Sequence, residues 1–256
     1  MIEREGCRNV VAAALTMVMM VGHSPALAQE ALPRVLVLTT GGTIAGGMPG
    51  QELVEAVPQI ATIADLTVEE FSRVGSSSIT PAHWVGLARR INEAFREDPG
   101  LQGVVVTHGT DSMEETSYFL HLTVNDERPV VVTGAMRGPR AVSADGPANL
   151  ISAVRVVAAS EARCRGVLVV LNDEIHSARD VRKMDSNRVD AFQSPDWGAI
   201  GVVDSDTILI HRTPLRIHTR SSRLELPTDS LPTVPIVADY PGSDGSTVRH
   251  WADRGV

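Results

Sequence analysis

The chain has 256 residues, of which 43% are hydrophobic, 21% charged and 4% aromatic, and its formal net charge is −8. This composition is typical of a globular protein with one substantial domain and part of a second. The acidic balance argues against the nucleic-acid-binding classes, which need a basic face to meet phosphates, and it predicts no nucleic-acid partner.

Residues 1–28 have the layout of a secretory signal peptide. A short polar start contains Arg4 and Arg8, an apolar stretch follows from Val10 to Val21, and Ala26-Leu27-Ala28 provides small residues for cleavage. The apolar stretch is shorter than the ~20 residues that a membrane anchor needs. The sequence therefore predicts cleavage after Ala28, a periplasmic or secreted mature protein, and no membrane partner after cleavage.

The next part of the chain alternates apolar runs with helical patterns. The runs are continuous, as expected of parallel strands that helices cover on both faces. Helix starts are indicated by Thr80-Pro81 and by Asp145-Gly146-Pro147, where proline occupies the first turn. We predict an α/β fold with a mainly parallel sheet flanked by helices. The predicted strands are Val35 to Thr39, Val104 to Thr107, Val130 to Thr133 and Val167 to Leu171.

This alternation covers residues 33–212, which we predict to form the first domain. Residues 213–233 hold three prolines among polar and basic residues, and this composition indicates an interdomain linker. A strand at Ile236 and a helix near residues 246–254 are expected to begin a second α/β domain over residues 234–256. One strand and one helix cannot bury a core, so we expect this second domain to be incomplete and the chain to be truncated at its C-terminus.

The first candidate site follows the first predicted strand, since doubly wound sheets bind ligands beyond the carboxyl ends of their strands. Gly41 and Gly42 allow a tight turn and close approach of a small substrate to the backbone, and Thr43 projects from that turn. The spacing fits neither the dinucleotide-binding glycine pattern nor the phosphate-binding loop. Thr43 is either a nucleophile or only a helix N-cap, and spacing leaves both open.

The second candidate site follows the strand that ends at Thr107. Thr110 is interpreted as a second activated hydroxyl, and Asp111 as an anion for a substrate ammonium group. The alternative is structural, because Ser112 and Glu115 form a capping-box pattern and Thr110 or Asp111 could be simple caps. Local chemistry does not separate these interpretations.

A threonine hydroxyl is a poor nucleophile until a base removes its proton. Lys183 is the one well-placed candidate for that role, provided that its surroundings favour the neutral amine. The alternative is a solvated surface charge. No cluster of His, Cys and carboxylate residues has metal-ligand spacing, so we predict neither a metal nor a cofactor.

Two segments together resemble the double signature of bacterial type II, or periplasmic, L-asparaginases and glutaminase-asparaginases: Thr40 to Gly47 and Thr107 to Asp111. Further matching segments follow in the family's order, and the resemblance spans residues 34–256. These segments are Thr133 to Arg137, Ser143 to Pro147 with Asn149, Gly166 to Val170 with Asn172-Asp173, Arg179 to Val181 with Lys183, and Arg212 to Pro214.

The resemblance implies an amidohydrolase that converts L-asparagine, and second L-glutamine, to the acid and ammonia. It implies that Thr43 is the nucleophile of an acyl-enzyme and that Thr110, Asp111 and Lys183 form a proton-transfer group. It also implies that Ser76 holds the substrate's α-carboxylate and that Asp111 grips its α-ammonium. Residues 33–212 would then be the family's N-terminal domain, and a full-length protein would form a homodimer or homotetramer with shared sites.

The sequence departs from the family pattern at the substrate-binding position Ser77, where members often have Gln, and this change is expected to loosen substrate selection. Residues 47–53 lead directly to a helix near Leu53, where the family has a longer mobile lid with a catalytic tyrosine; no tyrosine precedes Tyr118. The chain also ends before the region that supplies an acidic residue to a neighbouring site. These departures keep open a catalytically impaired remnant or an amino-acid-binding protein of the same family, and we expect the chain as written to have little activity.

Overall fold

The computed structural model describes residues 31–205, 207–228 and 230–256, so the predicted signal peptide lies outside the described residues. Among these residues, no helix combines the length and the apolar character needed to cross a bilayer. The helices are α1 (Gly50–Glu55), α2 (Pro81–Glu97), α3 (Met113–Thr123), α4 (Gly146–Ala158) and α5 (Ser246–Ala252). The strands are β1 (Arg34–Thr39), β2 (Asp65–Glu70), β3 (Leu101–Thr107), β4 (Val130–Thr133), β5 (Val167–Leu171), β6 (Glu174–Ser177), β7 (Arg182–Lys183), β8 (Phe192–Gln193), β9 (Gly201–Asp204) and β10 (Thr207–Ile210).

Eight of these strands form one sheet in the order β10-β9-β6-β5-β4-β3-β1-β2. The first five strands along the chain, β1 to β5, are parallel to one another, whereas β6, β9 and β10 extend the sheet in antiparallel fashion. The predicted α/β fold with a mainly parallel sheet is confirmed. The direction reverses at Asn172 and Asp173, which both have positive φ (50° and 61°), as a two-residue hairpin turn requires.

The continuous apolar runs arise because both faces of the sheet are buried. Alternate residues of a strand point to opposite faces, so Val35 and Val37 pack in one hydrophobic cluster with α4, while Leu36 and Leu38 pack in the other with α2. All four side chains are at most 4% exposed. The hydrophobic clusters on the two faces of the sheet therefore fix the positions of the central strands and of their carboxyl ends.

Those carboxyl ends form the edge at which the candidate site lies. Thr39 of β1 is in register with Thr107 of β3, and Thr107 is in register with Thr133 of β4. The loops that follow β1 and β3 are therefore adjacent, and both begin at the same level of the sheet. The helix expected near Leu53 begins three residues earlier, at Gly50.

The C-terminal part of the described chain differs from expectation at one strand. Residues 231–240 have no regular secondary structure, so the strand expected at Ile236 is not formed, because a strand needs a hydrogen-bonding neighbour. The helix expected near residues 246–254 is present as α5. Part of the predicted linker packs on the first domain: Thr219 is buried, and Arg220 forms an ion pair with Glu127. The division into two domains stays a prediction.

Two buried histidines make folding stability sensitive to acid. Burial, together with nearby His218, lowers the pKa of His121 from 6.5 to about 3, and burial lowers the pKa of His176 from 6.5 to about 4. Below pH 6.5 the unfolded chain binds protons that the folded chain excludes. The stabilisation is therefore complete above pH 6.5 and is lost as the pH falls toward the folded values.

We expect the free energy of unfolding, measured by urea denaturation between pH 7 and 4, to fall by a few kcal/mol, since each unit of pKa difference is worth about 1.4 kcal/mol. The His121→Asn variant should show a shallower fall, because an amide oxygen can accept the Val167 N–H that His121 Nδ1 accepts at 3.2 Å without gaining a charge. An equally steep fall in this variant would show that His121 is not one of the responsible groups.

Candidate active site

The first candidate loop is a glycine turn in direct backbone contact with its neighbours. Gly41 and Gly42 have positive φ values of 103° and 83°. A Cβ at Gly41 would lie 2.6 Å from the Val74 carbonyl oxygen, and one at Gly42 would lie 2.3 Å from the Gly109 Cα. Larger residues are excluded at both positions. Gly42 brings the loop that carries Thr43 against the loop that carries Thr110, and Gly41 brings it against the segment that contains Val74.

Ser76 connects a third loop to this pair. The Asp111 backbone N–H donates to Ser76 Oγ at 3.1 Å, and the Ser112 hydroxyl donates to the Ser76 carbonyl at 2.7 Å. Ser112 occupies the N-cap position of α3 but makes no capping hydrogen bond with its side chain. The Ser112 hydroxyl therefore does not cap α3, because it is used in a hydrogen bond between two loops.

Lys183 joins the two polar residues of the second loop. Its Nζ donates to Thr110 Oγ1 at 2.8 Å and to Asp111 Oδ1 at 2.7 Å. The Lys183 side chain is only 17% exposed, so it is not a solvated surface charge, whereas the Asp111 side chain is 65% exposed. The hydrogen bond from Lys183 is the main cause that lowers the pKa of Asp111 below its usual value. Asp111 is thus held as an anion that faces solvent.

The backbone of Lys183 is also fixed. Its N–H donates to Glu114 Oε2 in the first turn of α3 at 2.6 Å, and β7, which contains it, pairs with β8 in a separate two-stranded sheet. Sequence reasoning missed Glu114. No local signal could have found it, because 69 residues separate it from Lys183.

A series of side-chain hydrogen bonds connects α2 and α3 to the second candidate loop. Trp84 Nε1–H donates to Thr116 Oγ1 at 2.8 Å, and Thr116 Oγ1 lies 3.0 Å from His108 Nε2. The Gly109 carbonyl can only accept, so His108 Nδ1–H donates to it at 2.7 Å, and Nε2 of the neutral imidazole accepts from the Thr116 hydroxyl. Burial lowers the pKa of His108, which favours this neutral form.

A cavity of about 380 Å³ lies between the loops. It contains four of the sequence-predicted site residues, namely Thr43, Ser76, Ser77 and Asp111. The Thr43 side chain is exposed and makes no hydrogen bond with the described residues. The structure thus joins Ser76, Thr110, Asp111 and Lys183 by hydrogen bonds, while Thr43 and Ser77 share the cavity with Ser76 and Asp111. The other lining residues are Gly41, Gly42, Ala45, Gly47, Arg73, Val74 and Gly75.

The family model described as "Asparaginase, N-terminal" matches residues 34–216. The chain belongs to the asparaginase family. It is 42% identical over 241 residues to "L-asparaginase 2" of Bacillus subtilis, covering 88% of this chain and 64% of that protein. It is 38% identical over 240 residues to "Glutaminase-asparaginase" of Pseudomonas fluorescens, covering 88% and 66%. The chain therefore spans about two thirds of the length of the curated asparaginase relatives it matches.

Among solved structures, this asparaginase-family chain matches "Probable Cytoplasmic L-asparaginase" from Campylobacter jejuni with a TM-score of 0.83. The two are 41% identical, and the match covers 87% of this chain and 71% of that one. The mainly parallel sheet flanked by helices is therefore the asparaginase fold, and the antiparallel strands β6, β9 and β10 belong to the same sheet.

Proposed function

We propose that the protein is an amidohydrolase that converts L-asparagine to L-aspartate and ammonia, and L-glutamine second, through an acyl-enzyme on Thr43. The observation that carries this proposal is that Asp111, which Lys183 links to Thr110 by hydrogen bonds, lines the same cavity as Thr43. An exposed hydroxyl can act as a nucleophile once a base removes its proton, and a lysine hydrogen-bonded to a second hydroxyl can supply that base.

In the proposed reaction, Thr43 Oγ1 bonds to the side-chain amide carbon and loses its proton. The carbon–nitrogen bond then breaks, and the nitrogen takes up a proton and leaves as ammonia. Water attacks the resulting ester, which releases L-aspartate and restores the Thr43 hydroxyl. The Thr110 hydroxyl and the Lys183 amine, 2.8 Å apart, take up the proton that Thr43 loses and deliver it to the leaving nitrogen. In the second half of the reaction they take up a proton from the attacking water and return it to Thr43 Oγ1. No metal or cofactor takes part in these steps.

Two different groups bind the α-ammonium and the α-carboxylate of the substrate. The ionised Asp111 carboxylate attracts the α-ammonium group, and the Ser76 hydroxyl, whose oxygen accepts from the Asp111 N–H, donates to the α-carboxylate when substrate is bound. Ser77 also lines the cavity and is short, so it leaves room for the longer side chain of glutamine. We further propose a homo-oligomer, and a periplasmic or secreted location that rests on the signal-peptide pattern of residues 1–28.

We expect Asp111→Asn to lower kcat/KM for L-asparagine about 10–100-fold, because a hydrogen bond to a charged partner is worth about 1.5–3 kcal/mol. Succinamic acid has the same amide and carboxylate but no α-amino group, so its much lower kcat/KM should change little. Ammonia release from both substrates measures this difference. Equal losses for the two would mean that Asp111 serves only to hold Lys183.

A second candidate function is amino-acid binding without efficient turnover. It is favoured by the loop after Thr43, which reaches α1 at Gly50 within seven residues and contains no tyrosine that could cover the cavity. Isothermal titration with L-aspartate, beside an ammonia assay with L-asparagine, separates the two candidates. Binding of L-aspartate without ammonia release would favour the second.

A further inference from the structure

Both the side chain and the backbone of Lys183 are hydrogen-bonded to residues 110–114. Its ammonium group donates to Thr110 and Asp111, and its backbone N–H donates to Glu114. We propose that Glu114 is a positioning residue, which fixes the backbone of Lys183 so that Nζ stays within hydrogen-bonding distance of the Thr110 hydroxyl. This inference rests on the proposed amidohydrolase function and assigns to it a residue that does not line the cavity.

The strand that carries Lys183 needs such an anchor. β7 has two residues and pairs only with β8, another two-residue strand, outside the main sheet. The next N–H along the chain, that of Met184, donates to the Ala191 carbonyl at 2.7 Å on the β8 side. Neighbouring residues of a strand direct their N–H groups to opposite sides, so the Lys183 N–H points away from β8 and toward α3. Glu114 supplies its acceptor there.

The distance of 2.6 Å between Lys183 N and Glu114 Oε2 is short for an N–H donor, as expected when the acceptor is a carboxylate. Two of the residues that accept from Lys183 lie close together on one helical segment. Glu114 belongs to α3, and Thr110 belongs to the turn that leads into α3. A shift of β7 relative to α3 would therefore move the ammonium group of Lys183 relative to the Thr110 hydroxyl directly.

If Glu114 only stabilised the start of α3, the adjacent Glu115 would do the same. Glu114 and Glu115 both lie in the first turn of α3, where a negative charge favours the helix dipole. Glu115 is exposed and makes no hydrogen bond or ion pair with the described residues. The helix-dipole contribution is thus common to both, and only Glu114 contacts Lys183. Glu115→Ala is the matched control, since it removes the same charge from the same turn.

We expect Glu114→Ala to lower kcat for L-asparagine about 10–100-fold with a much smaller change in KM, because a displacement of about 1 Å at a reacting group can cost about 10²-fold. Glu114→Gln keeps an acceptor oxygen at the same reach and should restore most of kcat. Glu115→Ala should behave as the unmodified protein. Hydrogen exchange of the Lys183 amide should accelerate in Glu114→Ala and in neither of the other variants.

Measuring both kcat and the hydrogen exchange of the Lys183 amide distinguishes a failure of this inference from a failure of the proposed function. If the unmodified protein releases no ammonia from L-asparagine, the proposed function fails, and with it the catalytic consequence of Glu114. If the unmodified protein is active, equal kcat values in Glu114→Ala and Glu115→Ala would overturn the inference. Unchanged Lys183 amide exchange in Glu114→Ala, or no recovery in Glu114→Gln, would overturn it as well.

Discussion

In any form of the protein that turns over L-asparagine, Thr43→Ala is expected to reduce ammonia release by a factor on the order of 10⁴–10⁶, the range found when one member of a catalytic triad is removed. Among the predicted site residues, Thr43 combines a cavity position with a hydroxyl that is exposed and has no hydrogen-bond partner among the described residues. The Thr110 hydroxyl, by contrast, already accepts from Lys183. Ser77 shares this position and exposure, so the proposed nucleophilic role of Thr43 rests also on the family resemblance of the loop that carries it.

The fold should survive this change, because the Thr43 side chain is exposed and makes no hydrogen bond with the described residues. An unfolding midpoint that coincides with that of the unmodified protein is the check. Titration of the variant with L-aspartate tests whether the binding groups remain intact. Thr40→Ala is a control on the same loop: Thr40 Oγ1 donates to the Thr107 carbonyl at 3.0 Å, and its loss should affect stability more than turnover. Near-normal ammonia release by Thr43→Ala would transfer the nucleophilic role to Thr110.

The central strands could be predicted because each is buried on both faces and is therefore apolar throughout. The edge strand β2 could not, since its sequence begins with Asp65, ends with Glu69 and Glu70, and leaves several side chains half-exposed. The short strands β7 and β8 have two residues each, too few for any periodicity to be seen. Sequence patterns thus describe an element well only where burial dictates every residue in it.

The same reasoning explains which parts of the site were accessible from sequence. Thr43, Thr110 and Asp111 follow strands within a few residues, so the rule that ligands bind at the carboxyl ends of strands indicates them. The partners Trp84 and Thr116 of His108 lie on α2 and α3 and are ordinary helix residues by pattern. They become neighbours only through packing of the two helices.

Lys183→Met is expected to lower kcat about 10²–10⁴-fold, the usual contribution of a positioned proton-transfer group. Methionine has nearly the length of lysine but cannot donate, so both the Thr110 and the Asp111 hydrogen bonds are lost together. Lys183→Arg keeps the positive charge beside Asp111 but cannot act as a base near neutral pH. It separates the loss of proton transfer from the loss of charge.

The pH dependence of kcat/KM makes this separation visible. Lys183 lowers the pKa of Asp111, so Asp111 is the anion needed to bind an α-ammonium above that lowered pKa, and this form is lost as the pH falls through it. In Lys183→Met the pKa of Asp111 rises toward its ordinary value of 3.8, and the acidic limb of the profile should move to higher pH. In Lys183→Arg the limb should stay in place although kcat is low. An unmoved limb in both variants would mean that Asp111 does not bind the substrate as an anion held by Lys183. The role of Lys183 would then be confined to proton transfer at Thr110.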